Sequence, residues 1–204
     1  MGQVLKLGCR HHSIFMKNIE QKIIDAEKLK KQIDDLIIEI DDEGITNLDQ
    51  TVSRFVDFLY SKTKNDKTIE EVFTVLDSEE HSEPFFISKI NFISICEHHL
   101  VPFFGTVDLG VIPDRKIAGL SKYGNLVEYY SNAFQIQERF TKQIGEKIQE
   151  ILQPKGVFVR VIAQHLCSQV DNGINNVSQF ITTHTSGIYS MDSSLRDEAL
   201  KQFE

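Results

Sequence analysis

Two short clusters of cysteine and histidine place the strongest constraint on how this chain can fold. They are residues 96–99 (Cys-Glu-His-His) and residues 165–167 (His-Leu-Cys), and together they hold two of the three cysteines and three of the seven histidines. Thiolate and imidazole are ligands that zinc prefers in proteins. The combination predicts a zinc site, and one site made from both clusters requires a fold that brings two distant segments together.

The spacing within each cluster leaves several ligand sets open. Cys96 and His99 are three residues apart, so one turn can direct both side chains at the same ion. His165 and Cys167 are two residues apart, so in an extended strand both project from one face. A catalytic zinc needs three of these four ligands plus a water, whereas a closed structural zinc takes all four. Histidines left over from a catalytic site would transfer protons, because imidazole titrates near neutral pH.

Hydrophobic periodicity predicts a helical N-terminal region. Apolar residues recur at helical spacing through residues 14–40 and again through residues 52–59, and a polar turn follows at residues 62–67. We therefore divide the chain into an N-terminal helical extension, residues 1–65, and a main domain, residues 66–204.

The main domain alternates between strand patterns and helix patterns. Strand patterns cover residues 85–95, 105–112, 157–167 and 179–189. A helical stripe covers residues 126–152 and is divided into two helices around residues 132–135. This order predicts an α+β fold in which an antiparallel sheet carries helices packed on one face.

Charge and cysteine content exclude several classes of partner. The 22 basic and 30 acidic side chains give a net charge of −8, which disfavours nucleic-acid binding because phosphate backbones are bound by positively charged faces. No apolar run approaches the ~20 residues that a membrane span needs, so no membrane partner is expected. An odd number of cysteines in a chain of this length indicates a reducing compartment, and we expect a cytoplasmic protein.

Four motifs, in this order and spacing, closely resemble the GTP cyclohydrolase I family. They are residues 95–103 (Ile-Cys-Glu-His-His-Leu-Val-Pro-Phe), 119–122 (Gly-Leu-Ser-Lys), 135–139 (Gln-Ile-Gln-Glu-Arg) and 165–167. The resemblance covers about residues 85–189, and several motifs together are far more specific than any one of them. It implies the tunnelling fold, in which small sheets join around a ring, and it makes residues 66–204 a tunnelling-fold catalytic domain.

The resemblance also implies a metal and a reaction. Cys96, His99 and Cys167 would hold a Zn²⁺ ion, and His98 and His165 would act as acid and base. The implied enzyme is a zinc-dependent cyclohydrolase, which opens the imidazole ring of a guanine nucleotide at C8. Formate leaves, and the ribose rearranges to give a dihydropterin of the dihydroneopterin type.

The same resemblance implies how the substrate is bound. Gln137 and Glu138 would contact the guanine edge, and Ser121 and Lys122 would lie near the ribose and phosphates. The partners would be a guanine nucleotide or nucleoside and further copies of the chain, in a decamer-like ring with active sites at subunit contacts.

The sequence departs from the family at the phosphate end. Where the family has arginines, this chain has Asn125, residues 132–133 (Asn-Ala), residues 42–45 and residues 171–172. Because arginine forks bind phosphates bidentately, these losses predict a substrate with fewer phosphates, such as a nucleoside or monophosphate. The alternative is that a neighbouring subunit or other cations replace the arginines; the candidates are Lys62, Lys64, Lys89, Lys116 and Arg160.

Two other functions remain open from the sequence. One is a catalytically inactive regulatory or ligand-binding homologue of the same fold, and the other is a different tunnelling-fold enzyme of pterin or deazapurine metabolism. The complete set of metal and acid–base residues favours the active enzyme. Two segments have no assigned role: residues 9–12 (Cys-Arg-His-His), with adventitious metal binding as a minor option, and His184, which lies on the last predicted strand.

Overall fold

The computed structural model describes residues 27–28, 30–33, 35–36, 50–65, 67–77, 83–171 and 179–204. The chain divides into two compact units, Met1–Ser61 and Lys62–Glu204. The segment at residues 9–12, residues 42–45 and residue 172, where an arginine is expected, and most of the helix predicted for residues 14–40 lie outside the described residues. Within the described part of the chain, no helix is long and apolar enough to cross a membrane.

The first unit contains helical segments. Its described residues between 27 and 36 are helical, and helix α1 (Thr51–Thr63) confirms the helix predicted at residues 52–59. The Lys30 ammonium donates to the Ser53 hydroxyl at 3.1 Å and lies 3.5 Å from the Asp57 carboxylate. The helical spacing of the sequence therefore corresponds to real helices wherever the first unit is described.

The second unit is built on two sheets. The strands are β1 (Val75–Asp77), β2 (Phe85–Cys96), β3 (Pro102–Ile112), β4 (Lys116–Ala118), β5 (Phe134–Gln135), β6 (Gly156–His165) and β7 (Phe180–Gly187). The larger sheet has the order β5-β2-β3-β6-β7 and is antiparallel except for the short β2–β5 pair, while β1 and β4 form a small sheet of their own. The predicted α+β fold with an antiparallel sheet is confirmed.

Two helices cover one face of the larger sheet. They are α3 (Leu120–Ser131) and α4 (Gln137–Leu152), separated as the sequence predicts; a short helix, α2 (Ile69–Val72), precedes the sheet. The apolar stripe of α4, represented by Ile144 and Ile148, is fully buried in the same core as Val159 of β6. The helix ends at Leu152. Its C-cap residue, Gln153, has a left-handed backbone (φ 50°) and is followed by a proline that cannot continue the helix.

A second, smaller core lies on the other face of the sheet, beneath elements that the sequence pattern did not reveal. These are α6 (Ile188–Met191) and α7 (Ser193–Gln202). Phe203, just after α7, stacks on Phe158 with the ring planes 10° apart. Arg160 binds the buried carboxylate of Asp108 at 2.7 Å and lies over the Phe203 ring at 5.1 Å. This pair stabilises the fold, so Arg160 is not available to replace a missing phosphate ligand.

Two predicted strands end earlier than their sequence patterns suggest. Strand β6 stops at His165, because His165 pairs with Phe103 and β3 offers only Pro102 beyond it. The chain then forms helix α5 (Leu166–Asp171), so the prediction that His165 and Cys167 project from one strand face is wrong. Strand β7 likewise stops at Gly187, opposite the first residue of β6.

Candidate active site

The first cysteine–histidine cluster forms a tight turn between β2 and β3. The Cys96 amide donates to the Val101 carbonyl at 2.9 Å, and the Leu100 amide donates to the Cys96 carbonyl at 2.9 Å. Leu100 has a left-handed backbone conformation (φ 56°), which is unusual for a non-glycine residue and closes the turn. The turn therefore holds Cys96 and His99 in a fixed relation to each other.

Arg139 of α4 fixes this turn to the start of its own helix. Its guanidinium donates to the Glu97 carboxylate and to the Phe134 carbonyl, both at 2.6 Å. It also donates to the Gln135 side-chain oxygen at 2.9 Å. From the sequence, Arg139 was recognised only as the last residue of the motif at residues 135–139. Its role could not be predicted, because Glu97 is far away in the chain. Arg139 thus positions the turn that carries Cys96 and His99 against the helix that carries Gln137 and Glu138.

Cys96, His99 and Cys167 bring their candidate ligand atoms together, all within 4.8 Å of one another. Zinc bonds of ~2.0–2.3 Å to nitrogen and sulfur are compatible with a slight closure of this group around one ion. Burial raises the pKa of the Cys167 thiol, and the adjacent Cys96 thiol raises it further. A bound divalent cation reverses this effect by stabilising both thiolates, so the donor set fits zinc.

The three candidate ligands open onto one cavity, which we call the metal cavity. Its volume is about 310 Å³. Seven of the nine predicted site residues line it: Cys96, His98, His99, Gln137, Glu138, His165 and Cys167. His98 and Glu138 are exposed, whereas His165 is half-buried. Two segments far apart in the sequence therefore meet here with the start of α4.

His165 is held between two aromatic rings at the end of β6. The Phe103 ring stacks on it with centroids 4.6 Å apart and planes within 8°, and the Phe180 ring meets it edge-on at 5.9 Å. Burial lowers the pKa of His165, and the nearby Glu138 carboxylate opposes this shift. The imidazole is therefore neutral near pH 7, the state in which a histidine accepts a proton.

Gln137 lines the metal cavity but is only 1% exposed. Its side-chain oxygen lies 2.8 Å from His165 Nε2, and its amide nitrogen donates to the Val161 and Phe180 carbonyls at 3.1 and 3.0 Å. The adjacent Glu138 is exposed, so α4 presents one buried amide and one open carboxylate to the same cavity.

Ser121 and Lys122 do not line the metal cavity. Both lie in the first turn of α3, where Ser121 is exposed. Lys122 lines a separate polar cavity of about 310 Å³, which we call the lysine cavity. Its lining residues are Lys64, Asn65, Lys67, Glu71, Val72, Lys122, Asn125, Glu128, Tyr129 and Asn132.

The lysine cavity carries three cations and is braced by local hydrogen bonds. The Asn65 amide donates to the Tyr129 and Asn132 carbonyls at 2.9 and 3.3 Å, which ties Asn65 to the end of α3. The Glu71 carboxylate accepts a hydrogen bond from the Thr68 amide at 2.8 Å. Lys64, a proposed replacement cation, lies in this cavity; Lys67 also lies there and was not recognised from the sequence.

Comparisons with known proteins show similarity to one family over most of the chain. The sequence model of the GTP cyclohydrolase I family matches residues 26–204. The protein named GTP cyclohydrolase 1 from Wolinella succinogenes is 37% identical over 88% of this chain and 96% of its own length. The one from Streptococcus agalactiae is 35% identical over 86% of this chain and 96% of its own length. The human one is 40% identical over 69% of this chain and 55% of its own length.

Proposed function

This chain belongs to the GTP cyclohydrolase I family and is an enzyme that hydrolyses the imidazole ring of GTP, and from this premise we propose how its own residues act. The observation that carries the proposal is the convergence of three metal ligands, two histidines and one carboxylate on the metal cavity. The reaction class is metal-assisted hydrolysis followed by acid–base steps, with formate and a dihydropterin as products.

The metal is Zn²⁺, held by Cys96, His99 and Cys167. When bound, zinc acts as a Lewis acid and makes water a nucleophile near neutral pH. The protein contributes an ordered turn for two of the ligands and the first turn of α5 for the third. A set of three protein donors is the kind that would hold a catalytic zinc.

The remaining groups of the metal cavity bind the base and move protons. The exposed Glu138 carboxylate accepts hydrogen bonds from the ring N–H and the exocyclic amine of guanine. His165, neutral near pH 7, takes up a proton as the ring opens. His98, next to the metal ligands at the cavity wall, supplies a proton to the leaving nitrogen.

Metal content and formate release test this assignment together. Cys167→Ala is expected to remove both the zinc and the activity, because two ligands hold the ion much more weakly than three. Cys9→Ala is the matched control, since it deletes the remaining cysteine and should keep both properties. Full zinc content and full activity in Cys167→Ala would contradict the assignment.

For the phosphate end, we propose that the lysine cavity replaces the arginines. Lys64, Lys67 and Lys122 line it together with Asn125, where the sequence resemblance leads us to expect an arginine. Lysine ammonium groups bind phosphate as point charges and lack the bidentate geometry of arginine. The substrate's phosphates therefore contribute less to binding here, and compounds with fewer phosphates are also turned over.

The two cavities form one active site if they come from different copies of the chain. We propose a homo-oligomer, a decamer-like ring, in which one subunit's lysine cavity faces another's metal cavity. Co-expression of Cys167→Ala with Lys122→Glu tests this proposal. Mixed oligomers should recover part of the activity, because some sites then receive both intact parts; no recovery beyond the sum of the single variants would contradict it.

The two thiols at the metal site also bear on where the protein works. Cys96 and Cys167 are both free, and a zinc site of this kind needs them reduced. We therefore propose a cytoplasmic enzyme, which cell fractionation with a formate-release assay would test.

A further inference from the structure

Gln137 makes several buried hydrogen bonds at the wall of the metal cavity. It occupies the first turn of α4 and packs against β6 and β7, where its amide nitrogen has three acceptors within 3.1 Å: the Val161 carbonyl, the Phe180 carbonyl and the Thr182 hydroxyl. Its side-chain oxygen faces His165 Nε2 at 2.8 Å. Buried acceptors take up both amide hydrogens, and the side chain is only 1% exposed, so Gln137 has no donor left for a substrate and must have another role.

The direction of each hydrogen bond follows from counting donors and acceptors. Carbonyl oxygens only accept, so the group facing Val161 and Phe180 must be the Gln137 amide nitrogen. The opposite atom of the amide is then an oxygen, which only accepts. The hydrogen in the contact with His165 therefore belongs to His165 Nε2.

Two threonines close a ring that supports this orientation. The Thr141 hydroxyl donates to the Gln137 backbone carbonyl at 2.7 Å, so in the 2.6 Å contact with Thr182 it must accept. The Thr182 hydroxyl thus donates to Thr141 and accepts from the Gln137 amide nitrogen at 3.1 Å. Each group in this network can act only as the donor or only as the acceptor in its contact. Flipping the Gln137 amide would therefore break several buried hydrogen bonds at once.

We propose that Gln137 is a positioning residue: it holds His165 in the tautomer protonated on Nε2 and leaves Nδ1 as the unprotonated ring nitrogen. The role rests on the proposed function of His165. Phe103 and Phe180 restrict the plane of the imidazole ring, and Gln137 fixes its rotation and tautomer. Gln137 then acts on the reaction through His165 and makes no contact with the guanine.

Kinetics of single and double variants distinguish positioning of His165 by Gln137 from direct contact between Gln137 and the substrate. Gln137→Met removes the hydrogen bonds at similar side-chain volume and should lower kcat by about 10²-fold through misplacement of His165, with KM little changed. His165→Ala should lower kcat by ~10²–10⁴-fold. The double variant should be no slower than His165→Ala, because Gln137 acts only through the missing ring.

Gln135→Met is the matched control for the loss of a buried glutamine. Gln135 is 2% exposed, binds Tyr130, Gln143 and Arg139, and does not line the metal cavity. Combined with His165→Ala, its effect should be additive. A double variant of Gln137→Met with His165→Ala that is much slower than His165→Ala would mean that Gln137 acts on the substrate directly, and it would overturn the proposal.

The tautomer can be read without any turnover. In the ¹⁵N spectrum of the zinc-loaded, histidine-labelled protein, the His165 signals are assigned by their loss in His165→Ala. We expect a protonated Nε2 and an unprotonated Nδ1, and a mixture of tautomers in Gln137→Met. A protonated Nδ1 in the wild-type protein would overturn the proposal. If the wild-type protein released no formate, the proposed function would fail while this spectrum still decided the role of Gln137.

Discussion

The metal cavity and the lysine cavity have similar volumes but differ in how their groups are held. In the metal cavity the turn at residues 96–99, the Arg139 contacts and two aromatic rings fix the candidate ligands and His165 in place. The lysine cavity is lined by three long cationic side chains, by the hydrogen-bonded Asn65 and by Asn125, where the sequence resemblance leads us to expect an arginine. A reaction tolerates little displacement of the groups that take part in it, whereas the attraction between lysines and phosphates acts over several ångströms. The two cavities can therefore diverge independently in sequence.

Removing a metal ligand should produce the largest difference between the two cavities, because it should abolish the function of one and leave the other unchanged. In Cys96→Ala the zinc content and the rate of formate release should both fall to background, because the fixed turn loses a buried ligand. Binding of phosphate to the lysine cavity should be unchanged. Zinc analysis, formate release and phosphate titration of the same preparation check this prediction, and retained turnover would contradict it.

Removing a proton carrier should leave the metal in place. His98→Ala is expected to lower kcat by ~10²–10⁴-fold, because general acid–base catalysis contributes that much. Zinc content should stay at the wild-type level, since His98 is outside the ligand set. An equal loss of zinc and activity would show instead that His98 helps to bind the ion.

Loosening the support of the turn should have an intermediate effect. Arg139→Met keeps much of the side-chain volume and removes the contacts to Glu97 and Phe134. Groups that orient metal ligands typically contribute 10–100-fold to metal affinity, so we expect about that loss in competition with a chelator. Lys142→Met, on the exposed side of the same helix, is the control and should bind zinc normally.

Neutralising the lysine cavity should have a smaller effect that depends on the substrate. Lys67→Met should lower kcat/KM for GTP by about fivefold to tenfold, because one charged contact near solvent contributes about 1 kcal/mol. The effect should weaken at high salt and vanish with guanosine, which has no phosphate. An equal loss with GTP and guanosine would place Lys67 outside the phosphate site.

The smallest predicted effect concerns His184, which packs against α4 outside the metal cavity. Its Nε2 is buried without a hydrogen bond among the described residues, and its ring lies against Gly145, where a Cβ would come within 2.2 Å of it. Burial lowers the pKa of His184, with Glu146 raising it and Lys142 lowering it. The folded state therefore favours the neutral ring.

The sign of the pH effect follows from that shift. Because the unfolded chain binds a proton more readily, His184 contributes stability above its unfolded pKa of ~6.5, and this contribution is lost as the pH falls toward the lower folded pKa. In His184→Gln, the free energy of unfolding should therefore fall less steeply than in the wild-type protein as the pH is lowered below ~6.5. Urea unfolding at several pH values measures it, and an unchanged slope would contradict the prediction.

The sequence predicted the parts of the fold that depend on local pattern. The stripe of α4 and the alternation of β3 each repeat over many residues, so their periods identify them. The end of β6 depends on where its partner strand β3 begins, and the sequence around residue 165 gives no information about this. Cys167 was therefore predicted to lie on a strand, whereas it lies on a helix. Helix α7 is short and polar, so its apolar side was not recognised.

The site was predictable to a similar extent. The predicted site residues belong to recognisable motifs, and the structure brings seven of the nine into one cavity. The supporting residues Arg139, Thr141 and Thr182 depend on contacts between segments far apart in the chain, and common polar residues give no distinctive pattern. Their roles required the register of β6 and β7 against α4.

The dependence of turnover on phosphate number tests the central claim, that the phosphate end has diverged while the metal end has not. The measurement is kcat/KM for formate release by the zinc-loaded protein with GTP, GDP, GMP and guanosine. We predict turnover of all four, with kcat nearly constant and kcat/KM rising by no more than about tenfold with each phosphate. Turnover confined to GTP, with kcat/KM collapsing on loss of one phosphate, would contradict the account.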